Sequence, residues 1–239
     1  MIQELRDLLF LDIETVASTA DYNVLDERIK TQWARKAIFF KKDKQQTDEE
    51  IYHERAGIYA EFGKIVCVAV GKFIDTESGE LGFKTKAYYG DDEVILLSEF
   101  KSMIEKTDPA TLKLCAHNGK EFDYPYLCRR LLVNCIGLPP ALNIMGKRPW
   151  EVQHLDTLEM WKFGDYKHYT SLDLLASIFN IPSSKSDIDG SQVNAVYYQD
   201  KNLLKIKEYC VRDVVVLAQL YLKMKCIPIP ANLIVRNSE

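Results

Sequence analysis

Across its 239 residues the chain has no run approaching the roughly 20 uninterrupted apolar residues of a membrane-crossing helix, which argues against a helical membrane protein. The opening Met1-Ile2-Gln3-Glu4-Leu5-Arg6-Asp7 puts no basic stretch before an apolar one, so no secretory signal is expected. Cysteines are few, at 67, 115, 128, 135, 210 and 226, with no C-x-x-C pair and no histidine at zinc-ligand spacing. A structural zinc site is thereby excluded. Most of the six sit among apolar neighbours, as in Val66-Cys67-Val68 and Leu114-Cys115-Ala116, and are expected to be free thiols of a reduced, cytoplasmic protein. A basic excess is missing too: 31 Lys and Arg face 35 Asp and Glu, a formal net charge of −4. That excludes a protein that coats nucleic acid through charge alone, but not an enzyme that meets it through bound metal ions. With no repeat, low-complexity tract or Pro/Gly-rich linker, residues 1–239 are expected to form a single domain.

What is present is an alternation of strands and helices. The apolar run Leu8-Leu9-Phe10-Leu11 reads as a buried strand that delivers Asp12-Ile13-Glu14-Thr15 at its end. Residues 64–75 are rich in β-branched side chains, and 83–89 form a further strand after a Glu-Ser-Gly-Glu turn, which predicts a hairpin. Helical spacing of Val94, Leu97, Phe100 and Ile104 predicts a helix over 91–106. A strand at 112–117, a helix at 124–135 and an edge strand at 153–157 follow. A short helix at 171–180 ends at Pro182, with Thr170 and Asp173 placed as a capping box, and a long helix spans 203–225. The pattern is that of an α/β domain: a mixed five-stranded central sheet flanked by helices.

An insertion of about residues 18–62 separates the first two strands. Between Arg28 and Lys44 it carries seven basic residues (Arg28, Lys30, Arg35, Lys36, Lys41, Lys42, Lys44) against Asp43 alone. That local +6 leaves −10 for the rest of a chain whose total is −4. Ile29, Trp33, Ala37 and Phe40 share a helical face, which predicts an amphipathic helix with a basic outer surface. Whether that surface is simply solvated or faces nucleic acid stays open at this level.

Three polar clusters interrupt the apolar pattern. D-x-E occurs four times, at Asp12/Glu14, Asp48/Glu50, Asp75/Glu77 and Asp91/Glu93, but only the first copy follows a fully apolar strand. Side chains at i and i+2 of a strand share a face, so both carboxylates reach one point. The second cluster, Asn118-Gly119-Lys120-Glu121-Phe122-Asp123, lies where a strand gives way to a helix, with Gly119 permitting a tight turn and Asp123 able to cap the helix. In the third, Tyr209 and Asp213 stand at i and i+4 on the last helix. An Asp amid Val211, Val214, Val215 and Val216 is costly unless paired or metal-bound. Clustered carboxylates suit Mg²⁺ or Mn²⁺, and two such ions about 4 Å apart serve phosphodiester hydrolysis.

Together, Asp12-Ile13-Glu14-Thr15, Asn118-x3-Phe122-Asp123 and Tyr209-x3-Asp213 resemble the three motifs of the DEDD superfamily of 3'-5' exonucleases, which share a ribonuclease H-like fold. The tyrosine marks the DEDDy subclass, and the chain is similar to the proofreading exonuclease domain of family B DNA polymerases and to stand-alone bacterial relatives of it. The resemblance implies that Asp12, Glu14, Asp123 and Asp213 bind two divalent cations, Mg²⁺ or Mn²⁺, and that Tyr209 orients the attacking water. It also implies that Thr15, through its main chain, Asn118 and Phe122 contact the terminal nucleotide. The expected substrate is nucleic acid with a free 3' end, single-stranded DNA first, with a polymerase or repair partner in trans. In the histidine subclass, position 208 would be His; here it is Glu, and the H-x4-D at His168/Asp173 is better explained by capping.

The loop at 183–191 departs from a calcium loop in its first and twelfth positions, Lys185 and Val196, and reads instead as a loop beside the cleft from which Lys185 touches substrate phosphate. Two alternatives compete with the nuclease reading. A catalytically silent nucleic-acid-binding module would be expected to lack a ligand, and none is missing. An Asp-nucleophile phosphomonoesterase would need a second Asp where Glu14 stands and a later GDxxxD that the chain does not have.

Overall fold

The computed structural model describes residues 2–41, 45–76, 79–165, 169–184, 188–230, 233 and 235–237. Its strands are β1 (Leu8–Ala17), β2 (Gly63–Asp75), β3 (Leu81–Tyr89), β4 (Lys113–Ala116), β5 (Leu155–Asp156) and β6 (Val235–Asn237). They form one sheet in the order β5-β4-β1-β2-β3-β6. β1, β2 and β3 pair antiparallel, while β4 lies parallel to β1 and to β5. The mixed sheet is therefore present with its five expected strands, and the short β6 adds a parallel edge beside β3. The helices are α1 (Ile2–Arg6), α2 (Glu27–Ala37), α3 (Asp48–Arg55), α4 (Glu93–Ile104), α5 (Asp123–Val133), α6 (Thr157–Lys162), α7 (Leu172–Ile178), α8 (Val193–Tyr198) and α9 (Leu203–Met224). Among the described residues no helix is long and apolar enough to cross a membrane.

Period two along β1 sorts its side chains between two cores. Leu8 and Phe10 enter the layer beneath α9, with Phe73, Phe83, Val214 and Tyr221. Leu9, Leu11 and Ile13 enter the opposite layer, with Leu97, Phe100, Leu127 and Leu131 from α4 and α5. Covered on both faces, the first part of β1 is apolar at every position, which explains its uninterrupted hydrophobic start. Phe10 is fully buried and meets the rings of Phe73, Phe83 and Tyr221 at 5.5, 5.8 and 5.6 Å. Truncation to Ala there is expected to cost about 3–5 kcal/mol. The same parity directs positions 12 and 14 toward α9.

β1 does not stop at Leu11. It continues to Ala17, so the first D-x-E lies inside the strand rather than at its end, just before a register shift between Glu14 and Thr15. Such a bulge re-aims the side chains that follow it.

The insertion folds over a small core of its own, containing Trp33, Ala37, Ile51, Tyr52 and Phe62. Trp33 Nε1 donates to the Asp48 carbonyl at 2.8 Å, and Thr47 with Glu50 forms a capping box that starts α3. The amphipathic face is narrower than its spacing predicts. α2 ends at Ala37, Ile29 is exposed, and Phe40 lies past the helix, stacked on Tyr59. At α7 the cap is Ser171, whose hydroxyl accepts from Leu174 N, and not Thr170. Asp173 instead accepts a hydrogen bond from Ser183 Oγ at 2.6 Å.

Candidate active site

Asp12 and Glu14 project from β1 on the side covered by α9. Asp123 comes from the start of α5, and Tyr209 and Asp213 lie one turn apart on α9. All five line a single open cleft of about 810 Å³, together with Thr15, Asn118 and Phe122. The size lies within the usual range of ligand sites. Thus every residue that the three motifs nominate arrives at one place, from three segments far apart in the chain. Lys185, the remaining candidate, lies outside the described residues.

Burial is severe for groups that carry charge: Asp123 is 4%, Glu14 7% and Asp213 8% exposed. Burial first, then the charges of Asp213 and Asp123, raises Asp12 well above its ordinary value, while a hydrogen bond from Cys210 opposes the rise. Glu14 is raised by burial and then by Asp12 and Asp213. Asp123 is pushed up to about 7, mainly by burial, against the lowering effect of backbone hydrogen bonds at its own residue and at Ile13. Carboxylates gathered in this way raise one another's pKa. Among the described residues the only Lys or Arg lining the cleft is Arg55, on the insertion. A divalent cation would offset the repulsion among these carboxylates, and the donors are hard oxygens of the kind Mg²⁺ and Mn²⁺ prefer. Asp12, Glu14 and Cys210 offer ligand atoms that all lie within 4.8 Å of one another.

The Tyr209 phenol is raised by burial and then by the carboxylates of Asp213, Glu14 and Asp12. It is therefore a neutral hydroxyl at any ordinary pH. Such a group orients a water molecule but does not deprotonate it.

The turn that carries the second motif differs in detail from its sequence reading. Asn118, not Gly119, adopts the left-handed conformation, with φ 63°, which asparagine tolerates better than most residues. Gly119 is small for another reason: a Cβ there would stand 2.4 Å from the Ala116 side chain. Asp123 is not the cap of α5. Phe122 holds that position without a side-chain bond, and Asp123 is the first helical residue, leaving its carboxylate for the cleft.

Several residues that shape the site carried no motif. Asp156, 3% exposed, accepts from the N–H groups of Asn118 (2.9 Å), Lys120 (3.1 Å) and Leu158 (2.9 Å), so one carboxylate binds the turn to the start of α6. Its signal was Asp156-x-x-Glu159, a helix-start pattern hidden by the edge-strand assignment. His117 lies between the Thr157 hydroxyl (2.9 Å) and the Thr170 carbonyl (2.8 Å), and burial lowers its pKa. A neutral ring that donates from Nε2 and accepts at Nδ1 satisfies both contacts. Cys210 donates to Asp12 Oδ2, a contact that no spacing rule announces.

Comparisons with known proteins bear on the family and the fold. The family described as "Predicted 3'-5' exonuclease related to the exonuclease domain of PolB" matches residues 58–229. That span holds Asn118, Phe122, Asp123, Tyr209 and Asp213 and begins after Asp12 and Glu14. Among solved structures, the family B DNA polymerase from the hyperthermophilic archaeon Pyrobaculum calidifontis is similar at a TM-score of 0.50 and 16% identity, over 90% of this chain. The chain spans 24% of that polymerase's length, and the likeness is one of fold. No curated protein matches.

Proposed function

The chain belongs to the family of predicted 3'-5' exonucleases related to the exonuclease domain of PolB, and on that premise we propose that it removes nucleotides one at a time from the 3' end of single-stranded DNA. The observation that carries this reading is the convergence of Asp12, Glu14, Asp123 and Asp213 from β1, α5 and α9 in one cleft. These four carboxylates would hold two divalent cations, Mg²⁺ or Mn²⁺. When bound, the ions supply the positive charge that a phosphodiester transition state requires and bring hydroxide within reach of neutral pH.

The protein's own groups do the positioning. Glu14 and Asp12, fixed by the rigid pairing of β1 with β2, set the depth at which the terminal phosphate stops. Tyr209, kept neutral, presents its hydroxyl to the attacking water one helical turn from Asp213. The main chain at Thr15, just past the register shift in β1, Asn118 in its left-handed turn and Phe122 receive the terminal nucleotide. The product is a nucleoside 5'-monophosphate.

To test this, a 5'-labelled single-stranded oligonucleotide is incubated with the protein and Mg²⁺ or Mn²⁺. Shortening from the 3' end with release of 5'-mononucleotides is expected, and Asp12→Ala or Asp213→Ala should abolish it. Undiminished activity in either variant would contradict the assignment.

A further inference from the structure

The insertion between β1 and β2 lies almost entirely outside the span matched by the family, and the sequence left its role open. Its far end is built into the cleft: His53, Glu54 and Arg55 from the last turn of α3, then Gly57 and Ile58, form one wall. That wall is fixed by specific bonds. Asn194 on α8 accepts from the Ala17 N–H at 2.9 Å and donates to the His53 carbonyl at 3.2 Å. The Tyr52 hydroxyl meets Ser18 Oγ at 2.9 Å, and Tyr126 OH donates to the Gly57 carbonyl at 2.8 Å. Gly57 sits directly on β1: a Cβ there would stand 3.2 Å from Val16 Cα and 3.3 Å from the Thr15 carbonyl oxygen. A wall held at so many points holds its place against the strand.

Its charge differs from that of the rest of the cleft. Arg55 is exposed, is braced near the Phe40 ring at 5.8 Å, and is the one Lys or Arg among the described residues lining the cleft. The wall meets β1 at Thr15 and Val16, three to four residues beyond Asp12, which is about 10–13 Å along a strand. A cation there is poorly placed to share the phosphate held at Asp12 but can meet its neighbour. The basic residues of α2 present a different case. Lys30 pairs with Glu27 and Lys41 with Asp48, each at 2.7 Å, and none of Arg28, Lys30, Arg35, Lys36 or Lys41 lines the cleft.

We propose that the insertion is a clamp for the substrate strand, in which Arg55 binds a backbone phosphate on the 5' side of the scissile one. The guanidinium suits this task, since its planar fork pairs with phosphate oxygens through two N–H groups. Ile58, 45% exposed at the same rim, offers an apolar surface to the adjoining nucleotide. The inference rests on the exonuclease reading for the direction of the strand, and it assigns strand binding to Arg55 rather than to the basic residues at 28–41.

The test has a binding arm and a turnover arm, both on the full chain. Binding of a fluorescein-labelled ten-residue oligothymidylate is followed by anisotropy in EDTA over a range of NaCl concentrations. Arg55→Ala should weaken binding about ten-fold and reduce the salt slope by about 0.7, Arg55→Lys should retain most of that slope, and Arg35→Ala should change Kd by less than about two-fold. Unchanged Kd and slope in Arg55→Ala, or an equal loss in Arg35→Ala, would overturn the clamp. In the turnover arm, kcat/KM with Mg²⁺ is compared on the decamer and on the p-nitrophenyl ester of thymidine 5'-monophosphate, which has no 5' strand. The loss in Arg55→Ala should be about ten-fold greater on the decamer; equal losses on both would place Arg55 at the scissile phosphate and overturn the proposal. Arg55-dependent binding without hydrolysis by the unaltered protein would refute the exonuclease reading and leave the clamp standing. Hydrolysis indifferent to Arg55→Ala would refute the clamp alone.

Discussion

The thiol of Cys210 on α9 donates to Oδ2 of Asp12 on β1 at 3.2 Å, joining the final helix to the first strand at the floor of the cleft. A second contact, to the Asp12 carbonyl at 3.4 Å, holds the same pair together. The thiol favours the ionised form of Asp12 in surroundings that otherwise oppose it. Cys210→Val removes the donor, and Cys210→Ser retains one. A hydrogen bond of about 1 kcal/mol corresponds to roughly 0.7 of a pH unit. The pH at which Mn²⁺ binding is half-maximal should therefore rise by about that much in Cys210→Val and by less in Cys210→Ser, as calorimetric titration across pH would show.

Tyr209→Phe removes a hydroxyl and leaves the ring that packs beneath β1. If the hydroxyl orients water, kcat should fall by about 10–100-fold while KM and the melting temperature change little. Because the phenol stays protonated, the pH profile of the unaltered protein should show no limb that disappears in this variant. A large rise in KM with kcat preserved would show that Tyr209 binds substrate instead.

Asp123 leads to a prediction about stability. Its ordinary value is 3.8, and the folded protein pushes it up to about 7, so between those values the native state binds more protons than the unfolded chain. Stability is then greatest below the unfolded value and is lost as pH rises through the folded one. Asp12 and Glu14 are shifted in the same direction. In EDTA the melting temperature should fall between about pH 4 and pH 7, and Mg²⁺ should restore most of the loss at neutral pH. A melting temperature that rises over this range in EDTA would contradict the burial argument.

Asp156→Ala leaves the buried N–H of Leu158 and the half-buried N–H groups of Asn118 and Lys120 without their acceptor. Hydrogen bonds to a charged group together with a helix cap imply a loss of about 3 kcal/mol, measurable by urea denaturation. Asp156→Asn keeps an acceptor and should cost less. Activity should fall in both variants, because the turn that carries Asn118 and Phe122 loses its anchor.

The parts of this molecule legible from sequence are those governed by periodicity and by residue type at a fixed spacing. Both cores follow from the alternation along β1, and the three motifs meet because strand and helix parity aims them at one another. Asp156 escaped because β5 is two residues long, too short for any period to mark its last residue as the cap of α6. Thr170 and Asp173 matched a capping pattern, yet Ser171 is better placed by one residue, a difference that depends on where the chain turns. Cys210 meets Asp12 across 198 positions, and such a contact follows only from how α9 docks. The positive residues of the insertion are concentrated at 28–44, whereas among the described residues the Lys or Arg that lines the cleft is Arg55, at the end of α3.

The central claim, that Asp12, Glu14, Asp123 and Asp213 form one site for two divalent cations, is most directly tested by an anomalous difference map from crystals soaked in MnCl2 with thymidine 5'-monophosphate. Two peaks about 4 Å apart, both ligated by Asp12 and adjoining the nucleotide phosphate, are expected. A map with no peak at Asp12, or with manganese and nucleotide bound away from this cleft, would contradict the account.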